Sequence, residues 1–410
     1  MNGSAFPPPG GLEEALSGVT VLDFGQLVAG PVCGMYLADM GATVIKVEPP
    51  EGELGRQLGP PWQNGESIAA LSSNRNKLGL SIDLKRPGAE AVIGRLAAGS
   101  DVVLENFRPG VADRLGIGFE ALSRWRPGLI HCAISAFGQE GPWRERPGVD
   151  GIMQAATGLM SGIAGPGGEP GKAPLPLADM AGALFATIAV LGALRRRDSQ
   201  GVGARLDVNL HSSMLMLQQM GLAAFLSSGD CPAPAGSAAP YAAPNEAFPA
   251  ADGWIMVAAY QPGRWVRLCE ALGRPDLLDD PRFRTNAERV KNRQALRDVL
   301  FPVFRTRTAT EWEALLAGAD ILAAPVADFE AVTASGPYRA SGIEVGFDHP
   351  VAGRVRMPGF AVGAPSPAPP RRPPPRCGEH SREVLRRFGF GESEIEALIA
   401  EKIILEPVPA

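Results

Sequence analysis

The sequence predicts an α/β fold built on a mostly parallel β-sheet, followed by a smaller α+β domain. Over the first half of the 410 residues, short β-rich runs alternate with helical runs. A stretch rich in Gly, Pro and Ala at residues 228–245 then separates this half from a region with a different pattern. Because strands that are joined through helices run parallel, the first half predicts a parallel sheet with helices on both faces.

The alternation can be followed element by element. A β-rich run at 19–24 precedes a helix at 31–40 that starts with Pro31, a residue favoured in the first helical turn. The other predicted strands of this half cover 43–48, 78–84, 101–107, 129–137 and 204–210. The other predicted helices cover 87–98, 110–115, 179–197 and, as one long apolar helix, 211–227. Farther on, a strand at 254–259 and helices at 263–272, 292–304 and 309–316 predict the small domain, and a last helix is predicted at 393–402.

Composition and charge exclude several classes of protein. The net charge of −5 does not suit a nucleic-acid binder or a protein of anionic membrane surfaces. Five widely spaced cysteines without a CxxC, and four histidines without HxH or HExxH, predict neither a disulfide framework nor a metal site. The N-terminus lacks the pattern of a secretory signal, and the longest apolar run, 180–194, is too short to span a bilayer. We therefore expect a soluble cytoplasmic protein in a reducing compartment.

Two polar clusters fall at predicted turns of the sheet. They are Asn74–Lys77 and Glu105–Gly110. Turns of α/β sheets commonly bind ligands, and side-chain donors gathered there suit a ligand that carries phosphates. The common nucleotide motifs are absent, since no G-x-G-x-x-G follows the first strand and no P-loop occurs.

Two aspartates precede helical runs and allow two interpretations. Asp179 begins the long helix, and Asp150 precedes another helix-like run. Aspartate is a favoured helix N-cap, and the positive end of the helix dipole stabilises its charge, so capping explains both residues. The same environment also keeps a carboxylate ionised, as a nucleophile requires.

Taken together, many ordered segments resemble CoA-transferase family III, the group that contains formyl-CoA transferase, carnitine CoA-transferase and the α-methylacyl-CoA racemases. The resemblance covers nearly the whole chain and is carried by residues 21–24, 29–31, 37–48, 52–56, 74–77, 81–85, 105–110, 114–116, 137–142, 179, 201–210, 349–353 and 378–380. It implies a Rossmann-like large domain, a small domain between two linkers, and two chains interlocked as a homodimer. The implied division is 1–227 for the N-terminal part of the large CoA-binding domain, 228–246 for a linker, 247–330 for the small α+β domain, 331–348 for a second linker, and 349–410 for a segment that returns to the large domain.

The resemblance also implies a reaction. Asp179 would attack the thioester of an acyl-CoA, giving an aspartyl anhydride and then an aspartyl-CoA thioester, with Asp150 orienting or supporting it and backbone amides beside Asp179 serving as oxyanion donors. The partners would be an acyl-CoA and a carboxylic acid, with no nucleic acid and no membrane. CoA enters as part of the substrate, and no other cofactor and no metal is implied. The residues expected to bind CoA are Val28, Ala29, Arg56, Asn76, Lys77, Ile82, Lys85, Asn106, Arg108 and Arg114.

Two positions depart from the branches of this family. The resemblance to the racemase branch would place a histidine immediately before the aspartate that matches Asp150. This position is Val149 here, which disfavours racemisation. Val28 stands at the place of a glutamine in formyl-CoA transferase, which disfavours formate and oxalate and leaves room for a larger or less polar acid. An isomerase that moves CoA within one dicarboxylic acid, an acyl-CoA-binding protein without turnover, and a 2-methylacyl-CoA racemase remain as alternatives.

Overall fold

The structure, a computed structural model, describes residues 12–164, 168–231, 234–362 and 372–407, so both ends of the chain lie outside it. The chain forms two compact units. The first comprises Met1–Thr157, Ala173–Gln219 and Pro337–Ala410, and the second comprises Gly158–Lys172 and Met220–Gly336. The first unit therefore contains three separate pieces of sequence.

Seven of the fourteen strands in the described residues lie in the β-rich runs that predicted them. In chain order the fourteen strands are β1 Thr20–Asp23, β2 Thr43–Glu48, β3 Trp62–Gln63, β4 Glu66–Ser67, β5 Lys77–Ile82, β6 Val102–Glu105, β7 Ile130–Ser135, β8 Ala204–Asn209, β9 Asn245–Pro249, β10 Trp254–Ala258, β11 Leu322–Pro325, β12 Glu344–His349, β13 Gly353–Pro358 and β14 Ile404–Leu405.

The helices connect these strands. They are α1 Ala29–Asp39, α2 Ile68–Ser73, α3 Ala89–Ala98, α4 Val111–Arg114, α5 Phe119–Leu122, α6 Asp150–Ala156, α7 Leu159–Ile163, α8 Leu177–Gln200, α9 Leu210–Leu217, α10 Gln219–Ser228, α11 Pro262–Ala271, α12 Asn286–Lys291, α13 Arg293–Phe304, α14 Ala309–Gly318, α15 Phe329–Ala334, α16 Gly336–Ser341, α17 Ser381–Arg387 and α18 Glu392–Ala400. Short 3₁₀ turns occur at Leu54–Gln57 and Pro275–Leu278.

The first unit is built on a seven-stranded sheet with the order β14-β5-β2-β1-β6-β7-β8. Every neighbouring pair runs parallel except β14, which is antiparallel to β5. The strand order reverses direction between β1 and β6. In open sheets of this kind, ligands bind where the strands end, beside such a reversal. We call the edge at which the parallel strands end the carboxyl edge.

Buried apolar side chains hold helices against the sheet. One core joins β1, β2, β5 and β6 to α3 and to the C-terminal helices α17 and α18, with Ile45, Leu80, Val103 and Leu385 at its centre. The hairpin of β12 and β13 packs separately on Leu71 of α2. The last part of the sequence is therefore bound into the same unit as the first.

Helix α8 is the longest helix, and by length and apolar composition it is able to cross a membrane. It packs against α1, α6, α9 and the sheet, and its buried face is rich in small side chains such as Ala181, Gly182 and Ala186. Core helices of soluble proteins pass the same test of length and composition, and half of the most apolar stretch of α8 is buried inside the structure.

The second unit has a three-stranded antiparallel sheet, β11-β10-β9. Its core contains stacked Phe248 and Phe304, with ring centroids 4.6 Å apart, and Trp312. The guanidinium of buried Arg289 donates hydrogen bonds to three backbone carbonyls of this unit, which explains how a charged side chain is accommodated there.

Several expectations about the middle of the chain differ from the structure. The apolar run at 211–227 forms two helices, α9 and α10, because the chain turns at Gln218. The expected linker at 331–348 contains the end of α15, α16 and most of β12, and the linker expected at 228–246 ends inside β9. Residues 158–172, expected in the large domain, belong to the second unit.

Candidate active site

The turn between β1 and α1, residues 25–28, lies at the reversal of strand order on the carboxyl edge. Side chains from other elements bind its backbone. Asn106, just after β6, accepts a hydrogen bond from Gln26 N at 2.7 Å and donates one to Gln26 O at 2.8 Å. A carboxylate oxygen of Glu53 accepts from Leu27 N at 2.9 Å. The Asp23 carboxylate accepts from Gly25 N at 2.8 Å, and Lys46 Nζ donates to Gly25 O. The β1–α1 turn is thus fixed before any ligand arrives.

The same turn requires two glycines because the backbone approaches itself closely. A Cβ placed on Gly25 would lie 2.8 Å from the Cα of Gly30 and 2.8 Å from a carboxylate oxygen of Asp23. A Cβ on Gly30 would likewise lie 2.8 Å from the Cα of Gly25. Leu27 has a φ of 63°, which is unusual for a residue with a branched side chain, and the bond to Glu53 helps to hold it.

A buried ion pair supports the turn from below. Lys77 Nζ donates to Asp23 Oδ2 at 2.7 Å, to Pro31 O at 2.7 Å and to Asn74 Oδ1 at 2.8 Å. Burial by itself would raise the pKa of Asp23, but the charges of Lys77 and Lys46 hold that pKa below its usual value. Asp23 is therefore a charged anchor under the turn.

The cluster Asn74–Lys77 thus has a structural role instead of the expected role in binding phosphates. Lys77 is fully buried, and Asn76 Nδ2 donates to Asp39 Oδ1 at 2.8 Å. Arg75 forms a paired hydrogen bond with Asp39, at 3.0 and 2.6 Å, and also donates to Pro358 O. The reason is their position, because residues 74–76 precede β5 and Lys77 is its first residue, so their backbone lies at the edge opposite the carboxyl edge.

A cavity of about 230 Å³ opens on the carboxyl edge next to the β1–α1 turn. Ile82 and Lys85 are among the residues that line it, as are Leu84, Phe107 and Gln26. Its walls combine apolar side chains with the carboxyl groups of Glu48, Glu51 and Glu53. Ile82 and Lys85 are two of the residues that the family resemblance implies bind CoA.

The expected basic residues differ in how accessible they are. Arg56 is held by Glu48, with both bonds at 2.6 Å, and by Pro375 O at 2.8 Å. Arg108 and Arg114 are exposed, and within the described residues neither guanidinium has a hydrogen bond or ion pair. Lys85 is exposed as well. Arg108, Arg114 and Lys85 are therefore the expected cations that remain available to an anionic ligand at this edge.

Asp179 lies in the first turn of α8, as its third residue, and is half-buried. Helices α1 and α8 pack side by side. Both helices begin at the carboxyl edge because each leads into a strand of the parallel sheet. The first turn of α8, which contains Asp179, therefore lies at the same edge of the sheet as the β1–α1 turn.

The capping interpretation of the two aspartates changes in the structure. The N-cap position of α8 is Pro176, not Asp179, and α8 has no cap from its own N-cap side chain. Asp150 is the first residue of α6, and its Oδ1 accepts from Ala178 N, in the first turn of α8, at 2.8 Å. Asp150 therefore caps the helix that carries Asp179. Two further hydrogen bonds form nearby, from Leu177 N to Leu175 O and from Met180 N to Pro176 O. Together with the bond from Ala178 N, they occupy backbone amides beside Asp179 that were expected to be oxyanion donors.

Sequence reasoning missed two residues of this site. Glu53 fixes the β1–α1 turn, and Gln154 is fully buried against the segment before α8. Gln154 follows Asp150 by four residues, a spacing that puts two side chains on one helix face, and this was the signal available in the sequence. Among the described residues, no group of three or more His, Cys, Asp or Glu is placed to hold a metal ion.

Comparison with known proteins identifies this arrangement. Residues 16–381 match the model of CoA-transferase family III. The chain belongs to this family. A family III CoA-transferase moves CoA between an acyl-CoA and a carboxylic acid, so its active site must hold both substrates.

Relatives of this CoA-transferase agree over most of their length. Succinyl-CoA:glutarate CoA-transferase of Mus musculus is 34% identical over 95% of this chain and 90% of that protein. Succinate–glutarate CoA-transferase of Agrobacterium fabrum is 36% identical over 90% of this chain and 94% of that protein. The crystal structure of a mutant of Rv3272 from Mycobacterium tuberculosis is 33% identical, has a TM-score of 0.81, and covers 93% of this chain and 100% of its own.

Proposed function

We propose that this CoA-transferase works through covalent intermediates on Asp179. The observation that carries the proposal is the position of this carboxylate, which lies in the first turn of α8, at the same edge of the sheet as the fixed β1–α1 turn. The positive end of the α8 dipole favours the ionised carboxylate, which is the nucleophilic form.

The reaction divides into steps in which one anion replaces another. An Asp179 oxygen attacks the thioester carbonyl, and the C–S bond breaks. This step forms a mixed anhydride between Asp179 and the donor acid and releases CoA as a thiolate. The thiolate then attacks the aspartyl carbonyl, releases the donor carboxylate and forms an aspartyl-CoA thioester. The acceptor carboxylate repeats both steps in reverse and restores Asp179. Since no step transfers a proton, the absence of histidine at Val149 does not hinder this reaction, whereas racemisation needs a base.

The proposed binding mode of CoA follows the carboxyl edge. The adenine end would occupy the cavity lined by Ile82 and Lys85, with Arg108 and Arg114 in reach of its phosphates. The pantetheine arm would pass over Val28 and Ala29 toward Asp179. CoA would enter only as part of the substrate, with no further cofactor.

The acids are proposed from the relatives. The mouse and Agrobacterium proteins are named for succinate and glutarate, which are dicarboxylic acids. Val28, in place of a polar residue, agrees with an acid larger than formate or oxalate. We therefore propose succinyl-CoA as donor and glutarate as acceptor for the first assays.

We further propose an obligate, interlocked homodimer in a reducing, cytoplasmic environment. Support for a dimer comes from exposed apolar side chains on α8, Leu184 and Ile188, that a second chain would cover. The five cysteines are all unpaired, as a reducing compartment favours.

The decisive experiment is peptide mass spectrometry after mixing the enzyme with succinyl-CoA and trapping with hydroxylamine. We expect a modified Asp179 in the wild type and in Asp198→Asn, a control at the far end of the same helix. Asp179→Asn should show no adduct and should lose turnover by about 10⁴-fold or more. CoA transfer by Asp179→Asn at the wild-type rate would refute the proposal.

A further inference from the structure

The segment that leads into α8 crosses back from the second unit. The chain leaves the first unit at Thr157 and returns at Ala173, six residues before Asp179. Residues 173–176 belong to neither helix nor strand. Two of them, Pro174 and Pro176, have no N–H, so this segment has few backbone donors with which to fix itself. Its position must therefore come largely from other side chains.

Gln154 supplies those contacts from α6. Its Oε1 accepts from Ala173 N at 2.9 Å, while its Nε2 lies 3.3 Å from Ala173 O and 3.3 Å from Leu175 O. The same Nε2 donates to Asp150 Oδ2 at 2.9 Å. Gln154 has no exposed surface, so water does not compete for these bonds.

The two side chains together hold the segment at three points. Gln154 binds Ala173 and Leu175, and Asp150, oriented by Gln154, binds Ala178 N. The last of these contacts is one residue before Asp179. The path from Gln154 to the nucleophile is therefore a continuous set of hydrogen bonds within the first unit.

We propose that Gln154 is a positioning residue for catalysis, which sets the orientation of Asp179 by fixing residues 173–178. This inference rests on the proposed role of Asp179 as nucleophile. A misplacement of a reacting group by 1 Å can cost about 10²-fold in rate, even when substrate still binds. Gln154 does not touch the substrate in this account, so its loss should affect the chemical step and spare CoA binding.

Three variants test the inference. Gln154→Leu removes all four contacts of the amide. Gln154→Glu keeps an acceptor for Ala173 N, but donates a hydrogen only when the introduced carboxyl is protonated. Gln218→Leu is the matched control, because Gln218 Nε2 donates to Thr157 O at 3.1 Å and to Met214 O at 3.2 Å, at the point where the chain leaves this unit. The measurements are the rate of Asp179 modification by succinyl-CoA in rapid-quench mass spectrometry, the Kd of CoA by calorimetry, and the Tm.

We expect Gln154→Leu to slow Asp179 modification by about 10²-fold, with the Kd of CoA changed less than about threefold. In Gln218→Leu, the rate of Asp179 modification by succinyl-CoA should stay within about threefold of the wild-type rate. The rate of Gln154→Glu, relative to wild type at each pH, should rise as pH falls and the introduced carboxyl regains its proton. A purely structural role would lower Tm without this pH-dependent rescue.

Every other result contradicts either the positioning role of Gln154 or the proposed role of Asp179. Modification of Asp179 at the wild-type rate in folded Gln154→Leu would overturn the inference, as would a loss that only follows weaker CoA binding. If Gln154→Leu does not fold, the relative pH profile of Gln154→Glu decides, and a flat profile overturns the inference. An unmodified Asp179 in the wild type would refute the proposed function instead.

Discussion

At the scale of single residues, burial gives the carboxyl group of Glu105 an unusually high pKa. This carboxyl ends β6, and its Oε2 accepts a hydrogen bond from Phe107 N at 2.8 Å. Burial, helped by the charges of Asp113 and Asp207 and opposed by the hydrogen bond from Phe107 N, raises the pKa of Glu105 to about 7. The side chain faces a cavity of about 390 Å³ that also contains His131. Glu105 is thus a carboxyl that changes its charge near neutral pH.

This shift predicts a pH dependence of stability. From pH 4.5, the ordinary pKa of Glu, to about 7, folded Glu105 holds a proton that the unfolded chain has lost. The free energy of unfolding therefore falls as pH rises through this window, by at most about 3 kcal/mol. Glu105→Gln removes this loss, so we expect it to be more stable than wild type at pH 8 and similar near pH 4.5. Urea unfolding near pH 4.5 and at pH 8 measures the difference in the free energy of unfolding between Glu105→Gln and wild type. An equal difference at the two pH values would contradict the prediction.

Substitution of Lys77 and of Arg114, two basic residues expected to bind CoA, should affect stability and CoA binding differently. Removal of the Lys77 charge in Lys77→Met leaves buried Asp23 without its main partner, so we expect a loss of about 3–5 kcal/mol in the free energy of unfolding. Arg114→Gln should change stability by less than about 0.5 kcal/mol and weaken CoA binding by about tenfold. Urea unfolding and calorimetry with CoA measure the two quantities. Normal stability of Lys77→Met with weak CoA binding would restore the phosphate role for Lys77.

At the scale of elements, the β1–α1 turn shows how a ligand platform is held rigid. Its backbone groups are bound by Asp23 at the end of β1, by Lys46 within β2, and by Glu53 and Asn106, which follow β2 and β6. Asn106 is an expected CoA contact whose amide is already used, since both of its polar atoms pair with Gln26. Its contribution to binding is therefore indirect, through the shape of the turn.

Loosening of this turn can be measured directly. In Asn106→Ala we expect the free energy of unfolding to fall by about 2 kcal/mol, because two hydrogen bonds to a part-buried backbone are lost. Amide hydrogen exchange should accelerate in peptides that cover residues 24–32, while β2 stays protected. Unchanged exchange at 24–32 would show that the other three side chains hold the turn without Asn106.

The sequence predicted the parallel sheet well because each strand has its own local pattern of β-rich residues. The site was predicted less well, since strand order and side-chain partners are not local properties. Lys77 is the first residue of its strand and Asn106 follows its strand, and this difference places their backbones at opposite edges of the sheet. That Asp150 caps α8 depends on a contact across 28 residues of sequence. No pattern within a single helix reveals such a contact.

At the scale of the whole molecule, α8 links the proposed nucleophile to an exposed apolar surface. The helix begins with Asp179 at the carboxyl edge and buries one face against α1 and the sheet. Its opposite face exposes Leu184 and Ile188, with 48% and 62% of their surface accessible. These residues are one turn apart, so they form a ridge on the same helix that carries Asp179. A second chain on this ridge would shield it from water.

The proposed homodimer is tested by a charge on that ridge. Ile188→Glu would have to bury a carboxylate in an apolar interface, which costs several kcal/mol, so we expect dissociation or severe loss of dimer. Val202→Glu is the matched control, because Val202 is 57% exposed but lies beyond the end of α8. Sedimentation velocity at several protein concentrations measures the mass of each. If the chains are interlocked, Ile188→Glu should also lose stability as it dissociates, since each chain would fold around the other. A folded, fully dimeric Ile188→Glu would exclude this face of α8 from the interface.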